Sequence, residues 1–300
     1  MSKVKYISVE EAAQNWQISE RSARNYCAQG RVEGALLEGK TWKIPATAHK
    51  PERKSRHSTV EETLLTFLKR EKDAALKGGI YHKIQIDLTY NSNHIEGSKL
   101  THNQTRYIFE TKTLGVTDKA VKVDDIVETV NHFRCIDLII EGAHTNLSES
   151  FIKQLHFILK SGTTDSQKSW FRVGEYKQLE NEVGGSETTK PAEVAGAIKA
   201  LLKEYNSKSK ITFDDILDFH VRFESIHPFQ DGNGRVGRLI MFKECLKHNI
   251  VPFIITEELK MYYYRGIKNW NDERGYLRDT CLTGQDAMKA TLDYFGIKHE

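Results

Sequence analysis

The chain holds 300 residues with 39% hydrophobic content and a formal net charge of +3. That length suits one sizeable domain plus a small one, and so small a charge excludes a broadly basic nucleic-acid binder, so that any DNA face must be local. No apolar run approaches the ~20 residues that span a bilayer and no signal peptide opens the chain, while Cys27, Cys135, Cys245 and Cys281 lack Cys-x-x-Cys spacing, which argues against a zinc or disulfide scaffold and fits a reducing cytoplasm.

Residues 1–48 read as a separate module. Val9, Ala12, Ala13 and Trp16 share one helical face. Ile18 and Ser19 form a turn with Ser19 as N-cap, and Ala23, Tyr26 and Cys27 continue a second helix that carries Arg21, Arg24 and Asn25 and ends at Gly30. Val32 with Leu36-Leu37, then Trp42-Lys43-Ile44, predict two strands around a tight turn at Glu38-Gly39-Lys40. This outline resembles the winged helix-turn-helix of the excisionase or MerR-like DNA-binding group. The resemblance implies that Arg21, Arg24 and Asn25 face a major groove, with Lys40 and Lys43 on the wing. The alternative is a protein-docking module of the same shape. Residues 49–58, polar and mostly basic, read as a linker.

Residues 59–300 read mainly as α-helix. Over 60–77, Val60, Leu64, Leu65 and Leu68 share a face. Ser92-Asn93-His94-Ile95-Glu96-Gly97 reads as a capped turn, with Ser92 as cap and Gly97 as terminator. Helical periods return over 125–140, through Ile126, Val130, Phe133 and Ile136, and over 150–160. Between 170 and 193, Arg172-Val173-Gly174 and Val183-Gly184-Gly185-Ser186 suggest two short extended runs, hence a hairpin. Pro191 precedes a helix over 192–205, and 287–295 forms a last one. Helices joined by short loops imply a bundle.

The densest chemistry lies from His227 to Arg238. Thr212 and Asp215 form a capping box for a helix with Phe213, Ile216, Leu217, His220 and Phe223 at helical spacing. Pro228 stops that helix at His227. Asp231-Gly232-Asn233-Gly234 is turn chemistry, and Val236, Leu239, Ile240 and Leu246 open a second helix. A glycine loop feeding a helix N-terminus offers free N–H donors and a partial positive charge to an anion. Arg235 and Arg238 add two guanidinium forks suited to phosphate. Asp231 would repel a bare phosphate, and a bridging Mg²⁺ explains its presence. Within this stretch His227 alone takes a proton near neutral pH. The set describes transfer of a phosphate-linked group to a hydroxyl. Further on, Tyr262-Tyr263-Tyr264-Arg265 begins another helix, and Tyr262 and Trp270 are expected in the core.

The stretch closely resembles the signature of the Fic family, His-Pro-Phe-x-Asp-Gly-Asn-Gly-Arg-x-x-Arg, with every fixed position matched. The resemblance implies a Fic helical bundle with a hairpin flap, and transfer of AMP from ATP to a Ser, Thr or Tyr hydroxyl of a target protein or of the chain itself. It makes His227 the base and Asp231 the Mg²⁺ holder. Gly232, Asn233, Gly234 and Arg235 would hold phosphates, and Arg238 would reach the terminal one. Kinase-type relatives carry Lys where this chain has Gly234, so nucleotidyl transfer is favoured. Beside this signature, residues 92–97 resemble the family's inhibitory helix, Ser/Thr-x-x-x-Glu-Gly/Asn. Glu96 would then pair with Arg238 in the space of the γ-phosphate, Ser92 belonging to the same motif, and the matching glutamate of some relatives also supports AMP removal. Tyr264 and Asn271 fit the family's adenine site, and a flap around 172–190 would hold the target by strand addition. Self-association into a homodimer is a further implication. The competing readings are a DNA-binding transcriptional regulator that uses the site as a nucleotide sensor, against which the intact His227 argues, and transfer of another nucleotide or of phosphocholine.

Overall fold

The computed structural model describes residues 4–39, 41–51, 62–115, 120–183 and 185–299. Lys40, Val60, Gly184 and most of the basic linker lie outside the described residues. The chain divides into two compact units, Met1–Val60 and Glu61–Glu300.

In the first unit, β1 (Tyr6–Ile7), α1 (Val9–Trp16), α2 (Glu20–Ala28), β2 (Leu36–Glu38) and β3 (Thr41–Pro45) follow in order. Ser8 and Glu11 close a capping box on α1, and the Ser19 hydroxyl accepts from Ser22 N–H to cap α2. The antiparallel sheet runs β1-β3-β2, with Ile7 opposite Ile44 and Leu36 opposite Lys43. Val9, Ala12, Trp16, Ala23, Cys27 and Ile44 form its core. β1 went unforeseen because two residues carry no readable period.

The second unit is mainly helical, as expected. Its elements are α3 (Leu64–Asp73), α4 (Ile80–Ile95), α5 (His102–Thr111), α6 (Val123–Gly142), α7 (Glu149–Lys160), the hairpin β4 (Glu182–Val183) and β5 (Ser186–Glu187), α8 (Pro191–Asn206), α9 (Phe213–Ile226), α10 (Asn233–Lys247), α11 (Glu257–Lys268) and α12 (Gly275–Tyr294). α10 is the axis of the bundle. It is buried along nearly its whole length and touches α9, α6, α7, α4 and α3.

Several boundaries differ from the sequence expectation, each for a local reason. The helix expected from Val60 begins at Leu64, because the Thr63 hydroxyl accepts from Thr66 N–H and caps it there. Ser92 does not cap a short turn. It sits in the last turn of the 16-residue α4, whose buried His82, Gln85, Thr89, Ser92 and Asn93 hide its face from a hydrophobic pattern. Arg172-Val173-Gly174 is not extended, and the hairpin lies wholly within 182–187. The tyrosine run falls in mid-helix, since Glu257 and Glu258 open α11 with charges that favour an N-terminus. Trp270 is buried as expected, but Tyr262 is exposed. The last helix starts at Gly275, well before residue 287.

Candidate active site

The site is built where α9 hands over to α10. Thr212 and Asp215 form the expected capping box on α9, and the helix stops at His227, which takes a left-handed conformation with φ 51°. Pro228 cannot donate to continue it. The Asn233 side chain holds the following loop: its Oδ1 accepts from Phe229 N–H at 2.8 Å and its Nδ2 donates to the Phe229 carbonyl at 2.8 Å. Asn233 therefore faces Phe229 and not a phosphate, because its buried amide satisfies both main-chain groups of the bend. The Phe229 ring stacks on His156 of α7 with centroids 3.9 Å apart. Gly232 is the N-cap of α10 at φ 82°, and with no side chain it leaves the helix's first N–H groups uncapped. An uncapped helix start of this kind is suited to an anion.

Charges from three helices and from the loop meet around this end. Arg235 on α10 pairs with Glu128 on α6. Lys160 at the end of α7 donates to Glu128 at 2.5 Å and to Asp231 at 2.6 Å, and Arg235 reaches Asp231 at 3.5 Å. Burial pulls the Asp231 pKa upward, but Lys160 and Arg235 outweigh it and bring it down to about 2. The carboxylate is ionised at any working pH, and its side chain stays 49% exposed. One ionised, half-exposed carboxylate fits a Mg²⁺ that arrives with phosphate oxygens. It does not fit a resident metal: among the described residues no group of three His, Cys, Asp or Glu side chains stands ready to hold an ion.

One turn along α10, Arg238 donates from Nε to Ser92 Oγ at 3.1 Å and from Nη2 to the Ser92 carbonyl at 3.0 Å. Nη2 also reaches Glu96 Oε1 at 2.6 Å. Glu96 is the C-cap residue of α4, and Gly97, at φ 97°, turns the chain away. The carboxylate lies directly over the α10 start. A methyl group added at Gly234 would come within 2.4 Å of Glu96 Oε1 and 3.0 Å of Arg238 Nη1.

His227 and Asp231 lie on the same loop, ahead of these groups. Burial lowers the His227 pKa to about 4, helped by the nearby Lys177 and opposed by Asp231 and Glu96. The imidazole is therefore neutral at pH 7, the state a base requires. Tyr264 lies partly exposed on α11, its pKa pushed up to about 12 by burial and then by Glu96. Its neighbour Tyr263 is the buried one, hydrogen-bonded to His220 Nε2 at 2.6 Å. Asn271 is exposed in the turn after α11.

Sequence reasoning missed Glu128, Lys160 and His156. None belongs to a local motif, and the one available signal was a charge at the end of the apolar face of α7. In the first unit, Arg21 and Asn25 are exposed on α2 and Lys43 on β3, whereas Arg24 pairs with Glu20 at 3.1 Å. Strand β2 also exposes Leu36 and Leu37.

Residues 146–245 match the Fic/DOC family. Protein adenylyltransferase Fic of Drosophila melanogaster is 27% identical over 236 residues, covering 76% of this chain and 44% of its own. The Aedes aegypti protein of the same name is 26% identical over 244 residues, covering 79% of this chain and 45% of its own. The crystal structure of a Fic domain containing signaling protein from Bacteroides thetaiotaomicron superposes with a TM-score of 0.62 at 23% identity, over 79% of this chain and 98% of that one. The bundle thus has the Fic fold. The family match is confined to residues 146–245, and the chain, similar to protein adenylyltransferase Fic over most of its own length, spans less than half the length of the curated relatives it matches. Among the described residues no helix is long and apolar enough to cross a membrane.

Proposed function

We propose that this protein is a self-inhibited protein adenylyltransferase that transfers AMP from ATP to a hydroxyl of a protein target or of itself. The observation that carries this reading is Glu96 lodged over the uncapped start of α10 and bound to Arg238, beside the loop that carries a neutral His227. In the transfer, the target hydroxyl oxygen bonds to the α-phosphorus. The bond from that phosphorus to the β-bridging oxygen breaks and pyrophosphate leaves. His227 takes the hydroxyl proton. The first N–H groups of α10 receive phosphate oxygens, with Gly232 and Gly234 keeping the approach clear. Asp231 would hold a Mg²⁺ accompanying the nucleotide, which would supply neutralisation of phosphate charge. Arg235, already tied to Glu128, supplies a fixed positive field. Tyr264 and Asn271 line the adenine end, where the ring stacks on the base.

Inhibition follows from competition for one guanidinium. Glu96 satisfies Arg238 where the γ-phosphate would otherwise sit, and a charge-assisted pair of this kind contributes ~1.5–3 kcal/mol. An α-phosphate displaced from His227 then reacts slowly, because the step depends on alignment. The direct test is mass spectrometry of the protein after incubation with Mg²⁺ and either ATP or CTP. We expect an AMP adduct, stronger in Glu96→Gly and absent in His227→Ala. No adduct from Glu96→Gly removes the reading.

A second reading gives the first unit a role in DNA binding, supported by the exposed Arg21, Asn25 and Lys43 on helix and wing. Mobility-shift selection on a random duplex pool tests it. Failure to enrich any sequence removes it and leaves protein docking.

A further inference from the structure

Lys177 is almost fully buried, yet both acceptors of its ammonium are neutral. Nζ donates to Asn181 Oδ1 at 2.7 Å and to Thr188 Oγ1 at 2.5 Å. Among the described residues no carboxylate makes an ion pair with it, and Glu180 acts on it only from a longer range. A buried ammonium held only by an amide and a hydroxyl is costly, and an apolar residue of like volume would cost less.

Its position suggests what is gained. Asn181 immediately precedes the 182–187 hairpin and Thr188 immediately follows it. The Thr188 hydroxyl lies 2.8 Å from the Asn181 carbonyl, so the two stems and the ammonium form one closed polar knot. The same segment is stitched onto the loop after His227. Lys177 N–H donates to the Pro228 carbonyl at 2.9 Å, Leu179 N–H to Gln230 Oε1 at 3.2 Å, and Asn181 Nδ2 to the Phe229 carbonyl at 3.3 Å. Two-residue strands cannot hold a hairpin open to solvent on their own. The knot at the base therefore fixes where the hairpin stands above His227.

We propose that Lys177 is a positioning residue for AMP transfer: its ammonium clamps both stems of the 182–187 hairpin over the His227 loop, setting the place at which a protein target presents its hydroxyl. This rests on the adenylyl-transfer reading above. The clamp acts on the protein acceptor and not on the nucleotide, whose groups lie on α10 and α11.

The test uses the full chain in a Glu96→Gly background with [α-³²P]ATP. The acceptor is a separate Glu96→Gly, His227→Ala chain, titrated against catalytic amounts of enzyme. We expect Lys177→Met to raise the acceptor KM by about tenfold or more, the loss of a charge-assisted hydrogen bond, with the KM for ATP held within about twofold. Lys177→Arg restores part of the loss. Thr188→Val, which leaves Lys177 in place, moves the acceptor KM the same way by a smaller factor. Parallel changes in both KM values, or a silent Thr188→Val, overturn the clamp. Amide hydrogen exchange over 182–187 reads the clamp without catalysis, and unchanged exchange in Lys177→Met overturns it whatever the labelling does. No labelling by the Glu96→Gly enzyme removes the transfer reading and the positioning role with it, even if exchange quickens.

Discussion

Two arginines three positions apart on α10 live in very different corners. Arg235 and Arg238 are equally buried, with side chains 5% exposed. Arg235 faces Glu128, in the interior of α6, and Lys160 joins the pair so that two cations share Glu128 and Asp231. Every member of that corner is anchored in mid-helix, at a helix end packed on a neighbour, or on the stapled loop. Arg238 faces Glu96, the C-cap residue of α4, twice as exposed as Glu128 and followed by a glycine turn. Glu128 is fixed in the Arg235 corner, since it cannot leave without stranding two buried cations. The Arg238 corner has a carboxylate on a terminal turn, where local opening costs least. On the proposed reading, a phosphate competes with Glu96 for Arg238, while Glu128 keeps Arg235.

The largest expected effect tests whether the two corners serve chemistry at all. His227→Ala in the Glu96→Gly background should lower AMP transfer by ~10²–10⁴-fold, the usual contribution of a general base. Unchanged labelling would leave both corners as packing. Next, Glu128→Gln should lower stability by ~3–5 kcal/mol, as when one partner of a buried pair is removed. For a unit of this size that is a Tm drop of roughly 6–20 °C by calorimetry. Glu96→Gly should lower Tm by less, because Arg238 keeps both of its Ser92 acceptors, and raise labelling from ATP by about ten- to a hundred-fold. Equal Tm losses in the two variants would erase the distinction between the corners.

The smallest expected effect sharpens the Arg238 corner. The inward carboxyl oxygen of Glu224 has no partner, and burial raises its pKa to about 8, against a lowering by Arg238 and with support from Glu96. The folded state thus keeps a proton that the unfolded chain loses near the ordinary carboxylate value of 4.5. This contribution to stability is fully present below that value and is lost as pH climbs through about 8. Buried neutral histidines such as His227 and His220 add a rise of stability with pH below about 6.5, so Glu224 is read as the difference in denaturant midpoint between the wild type and Glu224→Gln, which should shrink from pH 5 to 8, and by less in a Glu96→Gly background. A difference that does not change over that range would show Glu224 ionised inside the bundle.

The legibility of the site follows the same division. The α9 stop, the glycine N-cap and the two arginines were readable because they lie within twelve residues. Glu96 was readable through family resemblance alone; as a pattern, residues 92–97 suggested a capped turn, and the 16-residue helix ending there was hidden by its own buried polar side chains. Glu128 and Lys160 were not readable, being 107 and 71 residues from the partners they neutralise. Asn233 was read as a phosphate ligand, but its amide is consumed by the loop it belongs to.

The sequence by itself determined the helical periods, the Thr212 cap, the bend after His227 and the open helix start, because dihedral preferences and capping bonds act over a few residues. Only the tertiary structure decided which carboxylate each arginine meets, that His227 is neutral, and that the hairpin base is tied to the loop. Those outcomes depend on distance through space and on burial, and both exist only once α4, α6, α7 and α10 have packed together.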